Sequence, residues 1–574
     1  MSERCDVLIQ GGEVHDGTGA PPRLADVAIR GGRVVALEPR LPHDAARVID
    51  ARGRWVTPGF LDIHTHYDAE LEALPGLEES VRHGVTTVVM GNCSLSAAAG
   101  TEAQILDIFC RVENLPRPLL TRWLGGKVTW RGPREYYDHL AALPLGPNVA
   151  SFLGHSSIRL AAMGTARSLR EPRATADELA QMAALVREAA DAGFLGLSID
   201  MLPWHRMDGA PFRGVSVPSQ QAHPSEYAAL AGIVREHGGV LQATPNALRR
   251  ESVLRLLSYS AGVRRRPLRT TIIAALDVTS DRTVHRLAPL SAELANRLLD
   301  ADVRYQALAE PFLNFCDGPL TPIFEELPAG VDAISASPED RRRMFRDPGY
   351  RATFHRQWTG RGHAFHRDFA RMDVISAPDA SLAGRSFADI ARERRNDPVE
   401  CFMDLLAEHD TALRWRTVVA NDRPGPRRAL LAHPCILPGF NDAGAHSRNM
   451  AFQDGALQVL REAQADPAWM TVARAVHRLT GEPAAWLGLE AGTLAKGAIA
   501  DVVVIDPERL QTGLGEPVEL VDPRLDGNMR MVKRSEGVVR QVVIGGRVAF
   551  DEGRFAPGYG ETRFGRLLRA ATRP

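Results

Sequence analysis

The chain has 574 residues, 44% apolar and 24% charged, and its 69 basic and 70 acidic residues leave a formal net charge of −1. That length holds a barrel of about 250 to 400 residues plus a second core, and the composition is far from that of a disordered chain. Balanced charge offers no field to gather a polyanion, which sets nucleic acid aside as a partner, and no apolar run approaches a membrane span.

The N-terminal residues MSERCDVLIQGGEVHDG enter strand-like alternation directly, so no signal peptide is expected. Six scattered cysteines, Cys5, Cys93, Cys110, Cys316, Cys401 and Cys435, form no CxxC pair and point to reduced thiols in the cytoplasm. Short β-branched runs broken by Gly or Pro recur at both ends, at 6–10, 27–30 and 34–37 and again at 501–505 and 538–548. GGEVHDGTG near the start and GGRVAFDEG near the end each set a Gly-Gly turn before a strand. Residues 1–57 and 490–560 are therefore expected to build one composite β-sandwich domain.

Between them, residues 58–489 carry eight apolar runs, several preceded by amphipathic helices such as 175–192. The runs lie at 59–63, 85–90, 149–153, 194–199, 240–244, 270–276, 303–309 and 435–440, with 417–420 competing for a late place. This alternation predicts an α/β fold, a (β/α)8 TIM barrel with its functional groups at the C-terminal ends of the strands. Two long excursions qualify as substrate walls or lids: 203–224, with Trp204, His205 and His223, and an inserted lid-like segment at about 311–378.

Three strand ends carry chemistry. PGFLDIHTHYD, residues 58–68, ends a strand in His64 and His66, which period-two geometry turns to one side, where two imidazoles can hold a divalent ion. GVTTVVMGNCS, residues 84–94, delivers Cys93, which is either a small buried hydrophobe or a thiolate ligand. PGFNDAGAH, residues 438–446, delivers Asp442, which can bind a metal and act as general base on a metal-activated water, or can cap the next helix. His446 and Arg448 nearby either face substrate or hydrogen-bond the loop.

Together with GHSSIR at 154–159, GFLGLS at 193–198 and LTGEPAAWLGLEAGTLAKGAIADVVVIDP at 479–507, these stretches give a resemblance that runs nearly end to end. The chain resembles the amidohydrolase superfamily and, within it, the D-aminoacylase (N-acyl-D-amino-acid deacylase) family. The resemblance implies a zinc hydrolase of an N-acyl bond with His64, His66, Cys93 and Asp442 at the ligand positions, the cysteine replacing a carboxylated lysine. None of the three lysines, Lys127, Lys496 and Lys533, falls on a candidate barrel strand.

The sequence departs from the family where one histidine is expected after each of the fifth and sixth strands. GGVLQATPN (238–246) and TTIIAALD (270–277) contain none, and Asn246 and Asp277 are the nearest oxygen donors. One zinc ion is therefore expected, with a second left open, and the histidines at 155, 205, 223, 433 and 446 are candidate replacements. His155, Arg159, Arg206, Arg448 and His446 are the candidate substrate-binding residues, the arginines as anchors for a carboxylate.

The expected activity is amide hydrolysis of an N-acyl D-amino acid or related small molecule. Its rivals are a lactone, cyclic amide or carbamate hydrolase or a lyase on the same site, and a metal-free binding protein. A homo-oligomer is left open.

Overall fold

The computed structural model describes residues 4–42 and 44–571. Eight parallel strands form a closed ring: β1 (Phe60–Asp62), β2 (Val85–Met90), β3 (Asn148–Ser151), β4 (Gly196–Asp200), β5 (Val240–Thr244), β6 (Arg269–Ile272), β7 (Asp302–Ala307) and β8 (Ile436–Pro438). Each pairs in parallel with its successor, β3 reaching β4 through its continuation Leu153–Gly154. β1 and β8 are likewise extended, by His64–Thr65 and Phe440–Ala443, and the parallel pairing of Phe440 with His64 and Ala443 with Thr65 closes the barrel. The ring is thus sealed by the two segments in which the sequence places its histidine pair and its aspartate.

Covered on both faces, these strands are buried without alternation, as in β2 and β5, where every residue is buried. At the end of β2, Gly91 has φ +74 and a Cβ there would lie 2.1 Å from the Phe152 carbonyl oxygen, so only glycine allows the turn toward Cys93. The helix expected at 175–192 spans Ala176–Ala192, started by a Thr175–Glu178 capping box and stopped at Gly193 with φ 94.

The chain ends meet in a nine-stranded sheet, where Val502–Ile505 runs antiparallel to Trp55–Pro58. The sheet branches at Cys5–Val14, which is long enough to take Ala45–Asp50 along its first half and Trp55–Pro58 along its second. Residues between these C-terminal strands leave the sheet: the hairpin Val518–Val521 with Met529–Val532 returns to the barrel, and Lys533 Nζ is buried against Glu310 and, at 2.7 Å, Asp454.

The excursion expected at about 311–378 is longer than that. Phe312–Asp317, Met372–Ser376 and Arg414–Ala420 form an antiparallel sheet with Arg414–Ala420 in the middle, so residues 417–420 belong to the insertion and not to the barrel. A separate aromatic core with Phe324, Phe354, Trp358, Phe402 and Trp415 makes it a small subdomain. Among the described residues, no helix is long and apolar enough to cross a membrane, and all six cysteines are free.

Candidate metal centre

His64 and His66 stand at the barrel mouth, both buried. His64 Nδ1 lies 2.8 Å from the Oε1 of Gln306 on β7. A hydrogen bond to an amide oxygen requires the imidazole proton on Nδ1, which leaves the Nε2 lone pair to face the mouth. Burial takes the pKa of His64 down to about 3, so the ring is neutral.

The other donors converge on it. Asp442 Oδ1 lies 3.3 Å from His66 Nε2 and 3.8 Å from His64 Nε2, and Cys93 Sγ lies 3.3 Å from His64 Nε2. Donors around one tetrahedral zinc at bond lengths of about 2.0–2.3 Å stand about 3.3–3.8 Å apart. These three spacings match such an ion, and the donor atoms of His64, His66 and Cys93 all lie within 4.8 Å of one another; Asp442 adjoins that trio through the two imidazoles and is not itself within 4.8 Å of all three.

Local backbone aims these side chains. Cys93 and Asp442 both have φ 51, a left-handed conformation that costs a non-glycine residue of order 1 kcal/mol or more and persists where its surroundings enforce it. Around Cys93 the enforcement is visible: its N–H donates to Gln242 Oε1 of β5 at 2.9 Å, and Thr244 Oγ1 donates to its sulfur at 3.3 Å. Asp68, just past the histidines, accepts from the N–H groups of Gly91 and Ala97 and so ties the two strand ends together.

Electrostatics favour positive charge here. Burial opposes ionisation of Asp442, yet its hydrogen bond to His66 and the nearby imidazoles bring its pKa down to about 2. Burial also opposes protonation of His66, but Glu113 and Asp442 on either side push its pKa well above the usual range. Burial raises the Cys93 thiol to about 11 in spite of His66, so it ionises only against a strong cation.

Glu113 was not foreseen. It is buried, and its Oε1 lies 3.1 Å from His66 Nδ1. It follows helix Glu102–Val112 as the C-cap, where the negative end of the helix dipole disfavours a carboxylate. That misplaced charge was the one signal in the sequence.

The centre forms the floor of a cavity of about 960 Å³, whose walls include Glu113, Trp204, His205, His446 and, from the insertion, Phe365. His205 is steadied by Asp200, 2.8 Å from its Nδ1. Of the expected substrate-binding residues, only His446 lines this cavity.

The other four do not line it and turn to partners inside the protein. His155 opens a helix beneath the mouth, its ring fully buried between Ser219 and Glu226, and Arg159 is buried against the same Glu226. Arg206 pairs with Glu325 and the Gly214 carbonyl, and Arg448 with Asp317. Each sits near a strand end or in the expected loop, but its head group turns to an internal carboxylate.

The oxygen donors fare similarly: Asp277 is occupied by Arg282 and Arg423, whereas Asn246 does line the cavity. His223 caps helix Pro224–Glu236, and His433 lies beside Glu293.

The sequence profile described as the amidohydrolase family matches residues 47–239 and 358–550. The chain belongs to the amidohydrolase family. This amidohydrolase is therefore a hydrolase of carbon–nitrogen bonds other than peptide bonds, and its resemblance within the family is to the D-aminoacylases. It is 40% identical to an uncharacterized protein of Mycobacterium tuberculosis over 98% of this chain and 96% of that one. It is 29% identical to the N-acyl-D-glutamate deacylase of Alcaligenes xylosoxydans xylosoxydans over 88% of each chain.

Among solved structures, D-aminoacylase aligns with a TM-score of 0.64 at 24% identity, covering 98% of this amidohydrolase and 100% of that chain. The N-acyl-D-glutamate deacylase of Bordetella bronchiseptica, complexed with zinc and a phosphonate mimic of the tetrahedral intermediate, aligns with a TM-score of 0.63 at 24% identity over 99% and 100%. The stretch outside the family match, residues 240–357, contains β5 to β7 and thus both strand ends that lack histidine.

Proposed function

We propose that this amidohydrolase cleaves the amide bond of an N-acyl D-amino acid or a related N-acylated small molecule, with one zinc ion held by His64, His66, Cys93 and Asp442. The observation that carries this reading is the gathering of a carboxylate, two imidazoles and a thiol at the floor of one cavity, where His66, Cys93 and Asp442 face the space and His64 lies just behind them. A zinc ion there would polarise the acyl carbonyl and acidify water. Relatives acting on N-acyl-D-glutamate and N-acyl-D-aspartate support the substrate class.

The chain's own groups divide the remaining work. Asp442 accepts the proton of the attacking water and returns it to the departing nitrogen, so that the products are a carboxylate and an amine. Gln306 fixes the tautomer of His64, and Glu113 orients His66. His205 and His446, on the walls, are the imidazoles presented to substrate. A small-molecule substrate is in keeping with a concave site of this volume, and six free cysteines fit the reducing cytoplasm.

Elemental analysis of the purified protein, together with mass spectrometry of products from N-acyl D- and L-amino acids, lactones, cyclic amides and carbamates, tests the proposal. About one zinc per chain and release of carboxylate plus amine from the N-acyl D-amino acids is the expected result. Absence of a transition metal would favour a binding protein, and turnover confined to the other substrates would assign a different reaction.

A further inference from the structure

The cavity above His66, Cys93 and Asp442 extends well beyond the reacting centre. Its volume of about 960 Å³ lies at the top of the range for small-molecule sites, and one side of it is a wall of hydrocarbon. Helix Val284–Leu298 supplies Leu287, Leu290 and Leu294, spaced so that all three share one face. Leu254 of helix Glu251–Ser260 and Leu248 ahead of it carry the wall outward.

These five leucines are between 43% and 67% exposed. Single exposed leucines need no explanation, but a contiguous stripe that begins at a catalytic floor marks a binding surface. The three arginines of the lining are each beside a carboxylate, Arg111 with Glu325, Arg213 with Asp208 and Arg250 with Asp281. The leucine wall also lies wholly within residues 240–357, the stretch outside the family match, in the loops and helices that follow β5 and β6.

We infer that this wall is an acyl-chain subsite, and that the enzyme acts on N-acyl compounds whose acyl group is a medium or long saturated chain, not an acetyl group. The inference rests on the N-acyl hydrolase reading given above. From Leu287 to Leu294 the helix rises about 10 Å, enough for a hydrocarbon chain to lie along the stripe with its carbonyl toward Asp442 and its tail toward the mouth. Each methylene withdrawn from water strengthens binding by up to roughly fourfold, so chain length is the variable to which such a wall responds.

The test has two arms. In the first, kcat/KM is measured for the N-acetyl, N-octanoyl and N-dodecanoyl derivatives of one D-amino acid. In the second, binding of a fluorescent dodecanoate analogue is titrated. Both are run on the zinc-loaded wild type and on the double variant Leu290→Asp/Leu294→Asp, with Leu290→Gln/Leu294→Gln as a milder pair should the first fail to fold.

Octanoyl should exceed acetyl on the order of a hundredfold in kcat/KM, mainly through KM. The double variant should lose at least about tenfold more on octanoyl than on acetyl and should release the probe. Equal rates on acetyl and octanoyl with no probe binding would overturn the subsite while leaving the N-acyl hydrolase reading intact. Probe binding abolished by the variant, with no N-acyl compound turned over, would sink that reading and keep the subsite. Adsorption of the wild type to phosphatidylcholine vesicles through these leucines, without chain-length dependence in solution, would assign the stripe to a lipid surface and overturn the proposal.

Discussion

The carboxylate of Glu113 stands 3.1 Å from Nδ1 of His66, and the two side chains, both buried, line the cavity side by side. On the proposed reading His66 is a zinc ligand, and a carboxylate this close to its far nitrogen would favour a proton there and raise the basicity of the other, so Glu113 would act through His66.

Glu113→Gln is therefore expected to weaken zinc binding by about 10- to 100-fold, measured by competition with a chromogenic chelator. Saturating zinc should restore most of kcat. Unchanged zinc affinity in the variant would show that the contact does no such work.

Asp442 answers differently to substitution. Asp442→Asn removes the proton acceptor while keeping the shape, and kcat should fall by about 10²- to 10⁴-fold even in zinc-saturated protein. Stopped-flow or endpoint assays on the best N-acyl substrate decide the point, and near-normal kcat would move the base to another residue.

Lys533 is buried with Glu310 and Asp454, its Nζ 2.7 Å from an Asp454 oxygen. Lys533→Met leaves two buried carboxylates facing each other, and loss of one partner from a buried ion pair costs about 3–5 kcal/mol. Urea unfolding should register that loss, and adding Glu310→Gln should recover part of it. A stability change below about 1 kcal/mol would show that the cluster is solvated or relaxes freely.

His15 sets a pH dependence away from the active site. Burial lowers its pKa to about 4, with Asp16 opposing, and its ring packs edge-on to Trp55 with Glu13 3.3 Å away. The folded pKa lies below the unfolded value of about 6.5, so the unfolded chain binds the extra proton between these limits. Its contribution is intact above about pH 6.5 and is lost as pH falls toward 4, amounting to about 2 kcal/mol at pH 5. His15→Phe should flatten the drop in stability between pH 7 and 5 by about that amount, and an unchanged slope would exclude His15 as its source.

The parallel strands were readable because their runs are apolar on both faces and the pattern repeats eight times. The clustering of His64, His66 and Cys93, with Asp442 beside the imidazoles, was readable because each of the four stands at a strand end. What stayed hidden depends on where a side chain's head group goes: Arg159 and Arg206 had the right addresses, but Glu226 and Glu325, remote in sequence, claim them. Glu113 was concealed on a helix end outside the strand pattern. The insertion was underestimated because the second half of its middle strand, Thr417 to Ala420, is as β-branched and apolar as a barrel strand and only its antiparallel partners distinguish it.

The seam of the barrel has a consequence for biosynthesis. His64 and Thr65 pair with Phe440 and Ala443, and close by the N–H of Asn441 reaches Asp62 across 379 positions of sequence. The first and last staves must meet before Asp442 can face the two imidazoles, so a chain still emerging from the ribosome carries His64, His66 and Cys93 without their carboxylate neighbour. The seam therefore couples closure of the barrel to assembly of the donor cluster, because the same two segments supply both.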